Sequence, residues 1–137
     1  MKAIGRPVKW ERIFRASEHN FKIAAFHEKC DNKEDTLVLI RTQFGKTIGG
    51  YTHYPWDQSN SWLSDSGRRA CIFSLDLMEK FVPQGNDKLI YRSSGYGPRF
   101  GGGSDIFICD NCNTNNSGAY FPVTYNREGG NKLSRDQ

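Results

Sequence analysis

The apolar positions near the start of the chain repeat with a helical period. Ile23, Phe26, His27 and Cys30 fall at i, i+3, i+4 and i+7, which places them on one face of a helix. The two alanines between them favour helix. Asn20 can cap its start, and the turn-type residues 31–33 indicate its end. The pattern therefore predicts one amphipathic helix between Asn20 and Asp31.

After residue 35 the pattern changes to short apolar runs, which are typical of strands. Residues 36–40 form a continuous apolar run, as expected of a strand buried on both faces. A hairpin turn at residues 44–46 leads into a second strand over residues 47–51. The paired glycines of that strand, Gly49 and Gly50, indicate a bulge or the close approach of another backbone.

The remaining runs predict a mostly-β (α+β) fold. Strands are predicted over residues 70–75, 88–91 and 105–109, with a long loop over residues 55–69. Residues 12–15 fit either a strand or a short helix. Many short strands with turn signals and one helix are typical of a β-sandwich with flanking helical pieces.

The composition fits a single intracellular domain. The chain has 137 residues, of which 36% are hydrophobic and 25% are charged, as in globular rather than disordered proteins. No apolar run approaches the roughly 18 residues of a membrane helix. The N-terminus has no apolar stretch that could act as a signal peptide. We therefore expect a cytoplasmic location without membrane insertion.

The net charge of +4 is concentrated at the N-terminus, because residues 1–22 carry six basic and two acidic side chains. The rest of the chain is balanced. Such a segment can contact nucleic acid or an acidic partner. However, the sequence contains no nucleic-acid-binding motif and no basic recognition helix. We predict no nucleic-acid partner.

The sharpest chemical signal is the C-x-x-C formed by Cys109 and Cys112. Cys30 and Cys71 could complete a four-thiolate zinc site, but the second C-x-x-C of such sites is missing. A thioredoxin-like pair lies at a helix N-terminus, whereas a polar loop follows Cys112. We interpret the four residues as reduced thiols, with stress-sensitive oxidation of Cys109 and Cys112 as the alternative, and predict no metal or cofactor.

Other motifs that could carry chemistry fail on their spacing. The glycines of residues 95–103 precede a strand rather than a helix, so they do not form a phosphate loop. Positive φ angles or bulges explain them. The polar residues 110–115 do not follow the calcium-loop register. No catalytic motif can be assembled around His19, His27 or His53, so no catalytic residue is predicted.

The order of the segments resembles the TLDc domain family, and most closely its short protist and plant branch, related to oxidation-resistance proteins. The matching blocks are 14–17, 24–33, 36–40, 45–51 with its Gly-Gly-Tyr, Pro55-Trp56, 70–75 and 97–106 with its triple glycine. Together they cover residues 10–125. Residues 1–9 are predicted as a basic segment and residues 126–137 as a polar tail.

The resemblance implies a sandwich of two antiparallel sheets flanked by short helices, without a cofactor or an accepted catalytic constellation. It implies structural motif positions at His27, Cys30, Gly49, Gly50, Trp56, Gly101, Gly102, Gly103 and Asp105. Ser104 stands where the family commonly has histidine. Some family members bind the vacuolar proton-pumping ATPase, and the family is linked to oxidative-stress tolerance.

We therefore predict a non-catalytic interaction module, or a structural component of a larger assembly. Its expected partners are peripheral subunits of the vacuolar-type proton ATPase (V-ATPase) or another large assembly. Exposed aromatic residues are favoured as interface anchors. The candidate binding residues are Trp62, Leu63, Arg68, Arg69, Arg12 and Lys9. The alternative function is a small thiol-redox protein that uses Cys109 and Cys112.

Overall fold

A computed structural model of the chain describes residues 9–103, 105–112, 118 and 124–127. Its strands form two antiparallel sheets, which confirms the predicted fold class. The elements are a 3-10 helix Ala16–His19, α1 Ile23–Cys30, β1 Thr36–Arg41, β2 Thr47–Thr52, β3 Ser61–Leu63, β4 Ala70–Ser74, β5 Glu79–Pro83, β6 Ile90–Arg92, β7 Tyr96–Phe100, β8 Ile106–Cys109 and β9 Tyr125–Asn126. No helix in this part of the chain is long and apolar enough to cross a membrane.

The two sheets face each other across one apolar core. The five-stranded sheet has the order β1-β2-β4-β5-β9, and the four-stranded sheet has the order β3-β6-β7-β8. Fully buried side chains from both sheets and from the β2–β3 and β5–β6 connections fill the space between them: Trp56, Ile72, Phe81, Leu89, Ile90, Phe100, Ile106 and Tyr125. Burial of each large apolar side chain stabilises the fold by about 1.5–3 kcal/mol.

The glycine pair in β2 marks a close approach, as the sequence predicts. A Cβ atom on Gly50 would lie 2.5 Å from the Phe100 ring in the opposite sheet. A Cβ on Gly49 would lie 2.1 Å from the Val38 carbonyl oxygen of the neighbouring strand. Neither site has room for a side chain, so the sheet spacing depends on both glycines.

The predicted helix is present, but its predicted cap is wrong. Asn20 ends the preceding 3-10 helix in the left-handed conformation (φ 52°). The first amide of α1 instead donates to a side chain far away in sequence, because the Ile23 N–H hydrogen-bonds Asp110 Oδ1 at 2.9 Å. Sequence reasoning searches for caps next to the helix and therefore missed this one.

The strand buried on both faces is β4 rather than β1. All five β4 residues are buried, whereas β1 is an edge strand in which the Leu39 side chain is 61% exposed. The prediction for residues 36–40 was therefore wrong in burial, although right in secondary structure. The hairpin turn that follows β1 is confirmed, with Gly45 at φ +77° and a Thr42 N–H to Lys46 carbonyl bond of 2.8 Å.

Four parts of the structure differ from the prediction. β3 lies inside residues 55–69, which were predicted as loop, and pairs with β6. β7 runs through the glycine-rich block, and a bulge interrupts its pairing between Tyr96 and Arg99. β5 was also missed. Residues 12–15 belong to neither helix nor strand.

Candidate interaction site

One row of side chains crosses the outer face of the four-stranded sheet. The strand pairing places Trp62 opposite Tyr91 and Arg99 opposite Phe107. Tyr91 and Arg99 come to the same level because their neighbours Ile90 and Phe100 are paired. Ile90 and Phe100 point into the core, so the row points outward, as alternation along a strand requires. We call Trp62, Tyr91, Arg99 and Phe107 the aromatic–arginine row.

Ring contacts hold the middle of the row together. The Trp62 and Tyr91 ring centroids are 4.8 Å apart in an edge-on arrangement. The guanidinium carbon of Arg99 lies 5.0 Å from the Trp62 centroid and 5.3 Å from the Tyr91 centroid. The Lys88 amine lies 5.8 Å from the Trp62 ring. Cation–π contacts of this kind contribute about 0.5–1 kcal/mol each at exposed sites.

The Arg99 side chain forms no hydrogen bond within the part of the chain that the structure describes. Its Nε atom is buried without a partner, and the guanidinium forms no hydrogen bond or ion pair with any side chain that the structure describes. Arginine carries five N–H donors in a planar fork that matches a carboxylate. The aromatic rings hold the plane of the fork while its terminal nitrogens stay available. The arrangement can therefore bind an acidic group from another molecule.

The structure places only one of the predicted binding residues in this row. Leu63 lies on the opposite face of β3 and packs against the core. The Arg68 Nε donates to Asn86 Oδ1, and the Arg69 guanidinium lies 5.7 Å from the Tyr54 ring. At the N-terminal end Arg12 pairs with Glu18 at 3.2 Å, and Lys9 is exposed.

Sequence reasoning missed Tyr91 and Arg99 as partners of Trp62. Arg99 lies in the glycine-rich block, where turns rather than a strand were expected. A strand assignment from Tyr96 to Phe100 would have placed Arg99 and Phe100 on opposite faces. The alternation of Phe100 with Arg99 was the available signal.

The triple-glycine block and Asp105 form a buried polar connection between the sheets. The Asp105 carboxylate has no exposed surface and accepts the backbone N–H groups of Thr124 and Tyr125, at 3.1 Å each. Gly101 has φ +89°, and a Cβ there would lie 2.0 Å from Asp105 Oδ1. Gly102 N–H donates to Thr124 Oγ1 at 2.8 Å. We call these residues the glycine–aspartate junction.

The junction continues into the core through Tyr125. Its hydroxyl donates to the Leu89 carbonyl oxygen at 2.7 Å, and burial raises the pKa of this phenol well above its ordinary value. Gly103 lies in the same turn as Gly101 and Gly102, and Ser104 lies outside the described residues. The junction links the β7–β8 turn to β9 of the other sheet.

His27 and Trp56 connect α1 to the sandwich. His27 is buried, with Nδ1 2.7 Å from Asp31 Oδ1 and Nε2 3.0 Å from the Tyr96 carbonyl oxygen. Because a carbonyl oxygen only accepts, Nε2 must carry a proton. The Trp56 indole is 1% exposed and donates to Thr36 Oγ1 at 3.0 Å. Both side chains are occupied by bonds within the fold.

The C-x-x-C motif also contacts α1. Cys109 ends β8 and Cys112 lies in the next turn, both half-buried. The residues between them hold the helix start: Asp110 accepts the Ile23 amide, and the Asn111 N–H donates to the Phe21 carbonyl at 2.9 Å. Burial is the main cause that raises the pKa of the Cys112 thiol, and the nearby Cys109 raises it further. A reactive thiol requires the opposite shift.

Cys30 and Cys71 resemble Cys112 in this respect. Burial raises the pKa of Cys30 and of Cys71 to about 11. Among the described residues no group of three His, Cys, Asp or Glu side chains is placed to hold a metal ion. The polar residues 113 and 115, considered for calcium, lie outside those residues.

A shallow groove of about 490 Å³ runs beside α1, and its lining includes His27, Glu28, Gln58 and Asp110. His27 and Asp110, the groups best suited to proton transfer, are already hydrogen-bonded within the chain. The groove is open to solvent, whereas sites for small molecules bury most of their ligand. Its geometry does not suggest a reaction.

A comparison with protein families adds one finding. The family model described as the TLDc domain matches residues 2–137, which is essentially the whole chain. The family is commonly linked to resistance to oxidative stress. The matched range includes all but the first residue of the segment 1–9 and the whole tail 126–137, and the division at residues 10 and 125 stays a prediction.

Proposed function

The chain belongs to the TLDc domain family, and on this basis we propose that it acts as a non-catalytic protein-interaction module. The observation that carries the proposal is Arg99, whose guanidinium packs against two aromatic rings on an outer sheet face and forms no hydrogen bond with a residue that the structure describes. The partner that the family resemblance implies is a peripheral subunit of the vacuolar-type proton ATPase. The module would then bind or regulate that pump, or serve as a structural component of a larger assembly.

The chemistry of the aromatic–arginine row suits a protein partner. Tryptophan, tyrosine and arginine are the residue types enriched at interface hot spots. Trp62, Tyr91 and Arg99 lie on three paired strands, so little conformational entropy is lost when a partner orders them. Arg99 is the charged residue of the three and is positive, so we expect the partner to contribute an acidic segment. A carboxylate of that segment would lie against Arg99, and an apolar side chain would pack on Trp62.

The proposal excludes catalysis because the candidate catalytic groups are engaged elsewhere. His27 connects α1 to β7, and Asp110 caps α1. The thiols whose pKa values are shifted are shifted upward by burial, which disfavours the nucleophilic thiolate.

An affinity capture from native cytosol and membranes tests the proposal. We expect the wild-type chain to recover peripheral V-ATPase subunits in near-stoichiometric amounts, and Arg99→Leu to lose at least about 30-fold in affinity, as for a hot-spot arginine. Arg68→Leu is the matched control, because Arg68 is an exposed arginine in a loop outside the row. Loss of binding in the Arg68 variant alone would assign the contact to that loop instead.

The alternative function, thiol redox chemistry, is separable from binding. The double variant Cys109→Ser/Cys112→Ser should bind the partner as the wild type does. A peroxide or disulfide assay on both proteins completes the test. If a wild-type redox activity disappeared in the double variant and no partner were recovered by either protein, the redox function would replace the interaction module.

A further inference from the structure

Three large apolar side chains lie exposed at one end of the five-stranded sheet. Phe44 lies in the β1–β2 turn and is 79% exposed. Leu77 and Met78 lie in the β4–β5 turn and are 63% and 69% exposed. We call these three residues the apolar tips. Single exposed apolar residues are ordinary, but a group of large ones on neighbouring turns indicates a binding surface.

Hydrogen bonds hold the two turns side by side. The Thr47 N–H donates to Asp76 Oδ2 at 2.6 Å, and the Leu75 N–H donates to the Thr47 carbonyl oxygen at 3.0 Å. Within the second turn the Leu77 N–H donates to Ser74 Oγ at 3.2 Å. The apolar tips are therefore presented by ordered backbone from two hairpins.

Folding does not explain the residue at position 78. Met78 has φ +53°, a conformation that favours glycine or asparagine over a bulky side chain. Its side chain is mostly exposed, so burial does not compensate for the strain. Packing in the core therefore does not offset the backbone strain at Met78, which leaves its exposed side chain available for a contact with another surface.

Basic residues flank the two turns that carry the apolar tips: Arg41 and Lys46 lie on either side of Phe44 in the chain, and Lys80 is the second residue of β5. Arg41, Lys46 and Lys80 are exposed, and none of them forms an ion pair with a residue that the structure describes. The two acidic residues nearby are engaged: Asp76 accepts the Thr47 amide, and Glu79 pairs with Arg127 at 2.9 Å. Asp76 keeps its negative charge, but the basic residues beside the two turns outnumber the acidic ones, so the local net charge is positive.

We propose that the apolar tips dock the domain on an anionic phospholipid surface. Apolar side chains on two neighbouring turns can enter the interfacial layer while the three cations contact lipid phosphates. The sequence-based expectation of no membrane insertion depended on the lack of a long apolar run, which docking through side chains does not need. The tips belong to the other sheet from the aromatic–arginine row, so this surface is additional to the proposed protein contact.

Co-sedimentation with vesicles tests the proposal on the full chain. One set of vesicles contains phosphatidylcholine with about a fifth phosphatidylserine, and the other contains phosphatidylcholine alone. We expect binding to the anionic vesicles only, weakened by salt because the cation–phosphate contacts are screened. Lys46→Glu/Lys80→Glu should weaken it by at least about tenfold, from roughly fivefold for each basic residue.

The apolar contribution is tested with Phe44→Ser/Leu77→Ser/Met78→Ser, which we expect to reduce binding by at least about tenfold. Leu39→Ser is the matched control, because Leu39 is equally exposed on the same sheet but outside the turns, and this variant should bind normally. Phe44→Trp should show quenching by brominated acyl chains beyond that of the wild-type tryptophans.

Met78→Gly separates docking from folding. Glycine relieves the positive φ, so the melting temperature should stay the same or rise while vesicle binding falls. Absence of wild-type binding to the anionic vesicles would overturn the proposal, as would undiminished binding by the triple variant. Self-association of the wild type that the triple variant abolishes, without vesicle binding, would assign the tips to a contact between copies of the chain.

Discussion

The glycine–aspartate junction and the aromatic–arginine row each contain one charged side chain, and the two differ in their hydrogen-bond partners. Asp105 is fully buried, and its two carboxylate oxygens accept the amides of Thr124 and Tyr125. Arg99 is half-buried against two rings, and no described residue accepts a hydrogen bond from its side chain. The first charge has hydrogen-bond partners within the chain, and the second has none among the described residues.

This difference distinguishes a charged residue that stabilises the fold from one that binds a partner. A buried charge with partners inside the fold stabilises one arrangement of the chain, so its loss should appear as lower stability. A charge without internal partners adds little to stability, and its loss should appear as lower affinity. Four substitutions test this distinction.

Gly101→Ala should produce the largest loss of stability, about 3 kcal/mol, because the new Cβ strains the backbone and collides with Asp105. The expected collision follows from the 2.0 Å separation and from the φ of +89°. Urea unfolding measures the loss. Gly45→Ala is the control: Gly45 also has a positive φ, but nothing lies within 4 Å, so it should cost only about 1 kcal/mol. Equal losses would show that the junction adds nothing beyond backbone strain.

Asp105→Asn should lower the free energy of unfolding by about 2 kcal/mol. The amide group keeps the shape of the carboxylate but turns N–H donors toward one of the two backbone amides that Asp105 accepts. The comparison of urea midpoints with the wild type measures the loss. A change smaller than about 0.5 kcal/mol would contradict the structural role of this carboxylate.

Arg99→Leu should change the free energy of unfolding by less than about 1 kcal/mol, since the lost cation–π contacts are offset by removal of an unpartnered Nε–H. The same urea titration measures it. The variant therefore has a stability close to that of the wild type and a lower affinity for the partner. A large loss of stability would show that Arg99, like Asp105, has a structural role.

Asp35 provides the smallest effect, because it is an exposed charge that is satisfied within the chain. Hydrogen bonds from Tyr51 and then from His53 lower its pKa. A lowered carboxyl pKa stabilises the fold above the unfolded-state pKa of about 3.9, and this contribution disappears as the pH falls through the folded-state value. Asp35→Asn should cost less than about 1 kcal/mol near neutral pH, since the side chain is 57% exposed.

The pH dependence is the measurement for Asp35. The difference between the Asp35→Asn and wild-type urea midpoints should shrink as the pH is lowered toward about 3. A constant difference from neutral to acidic pH would show that the loss comes from packing rather than from the charge.

The sequence could predict what depends on local pattern. The amphipathic helix, the β1–β2 hairpin and the close approach at Gly49 and Gly50 are all present, because period and turn chemistry carry that information. Contacts between distant segments were missed. The α1 cap comes from Asp110, which is 87 residues from Ile23. Trp62 and Arg99 come together because β3 and β7 both pair with β6.

Two properties of the strands explain the remaining errors. β1 has the apolar run of a central strand but lies at the sheet edge, and strand order is not encoded in a run of residues. β7 begins in a glycine-rich block with a bulge, so its alternation is interrupted. The sequence identified Trp62 as a candidate binding residue because polar residues precede it. The position of Arg99 beside Trp62 follows only from the pairing of the strands.

The central claim, that this TLDc domain binds a protein partner through the aromatic–arginine row, is tested most directly by one binding titration. The purified peripheral sector of a vacuolar-type proton ATPase is titrated with the wild-type chain, Arg99→Leu and Arg68→Leu. The account predicts saturable binding of the wild type and of Arg68→Leu, with at least about a 30-fold weaker Kd for a folded Arg99→Leu. Equal binding by Arg99→Leu would contradict the assignment of the row, and absence of wild-type binding would contradict the pump as partner.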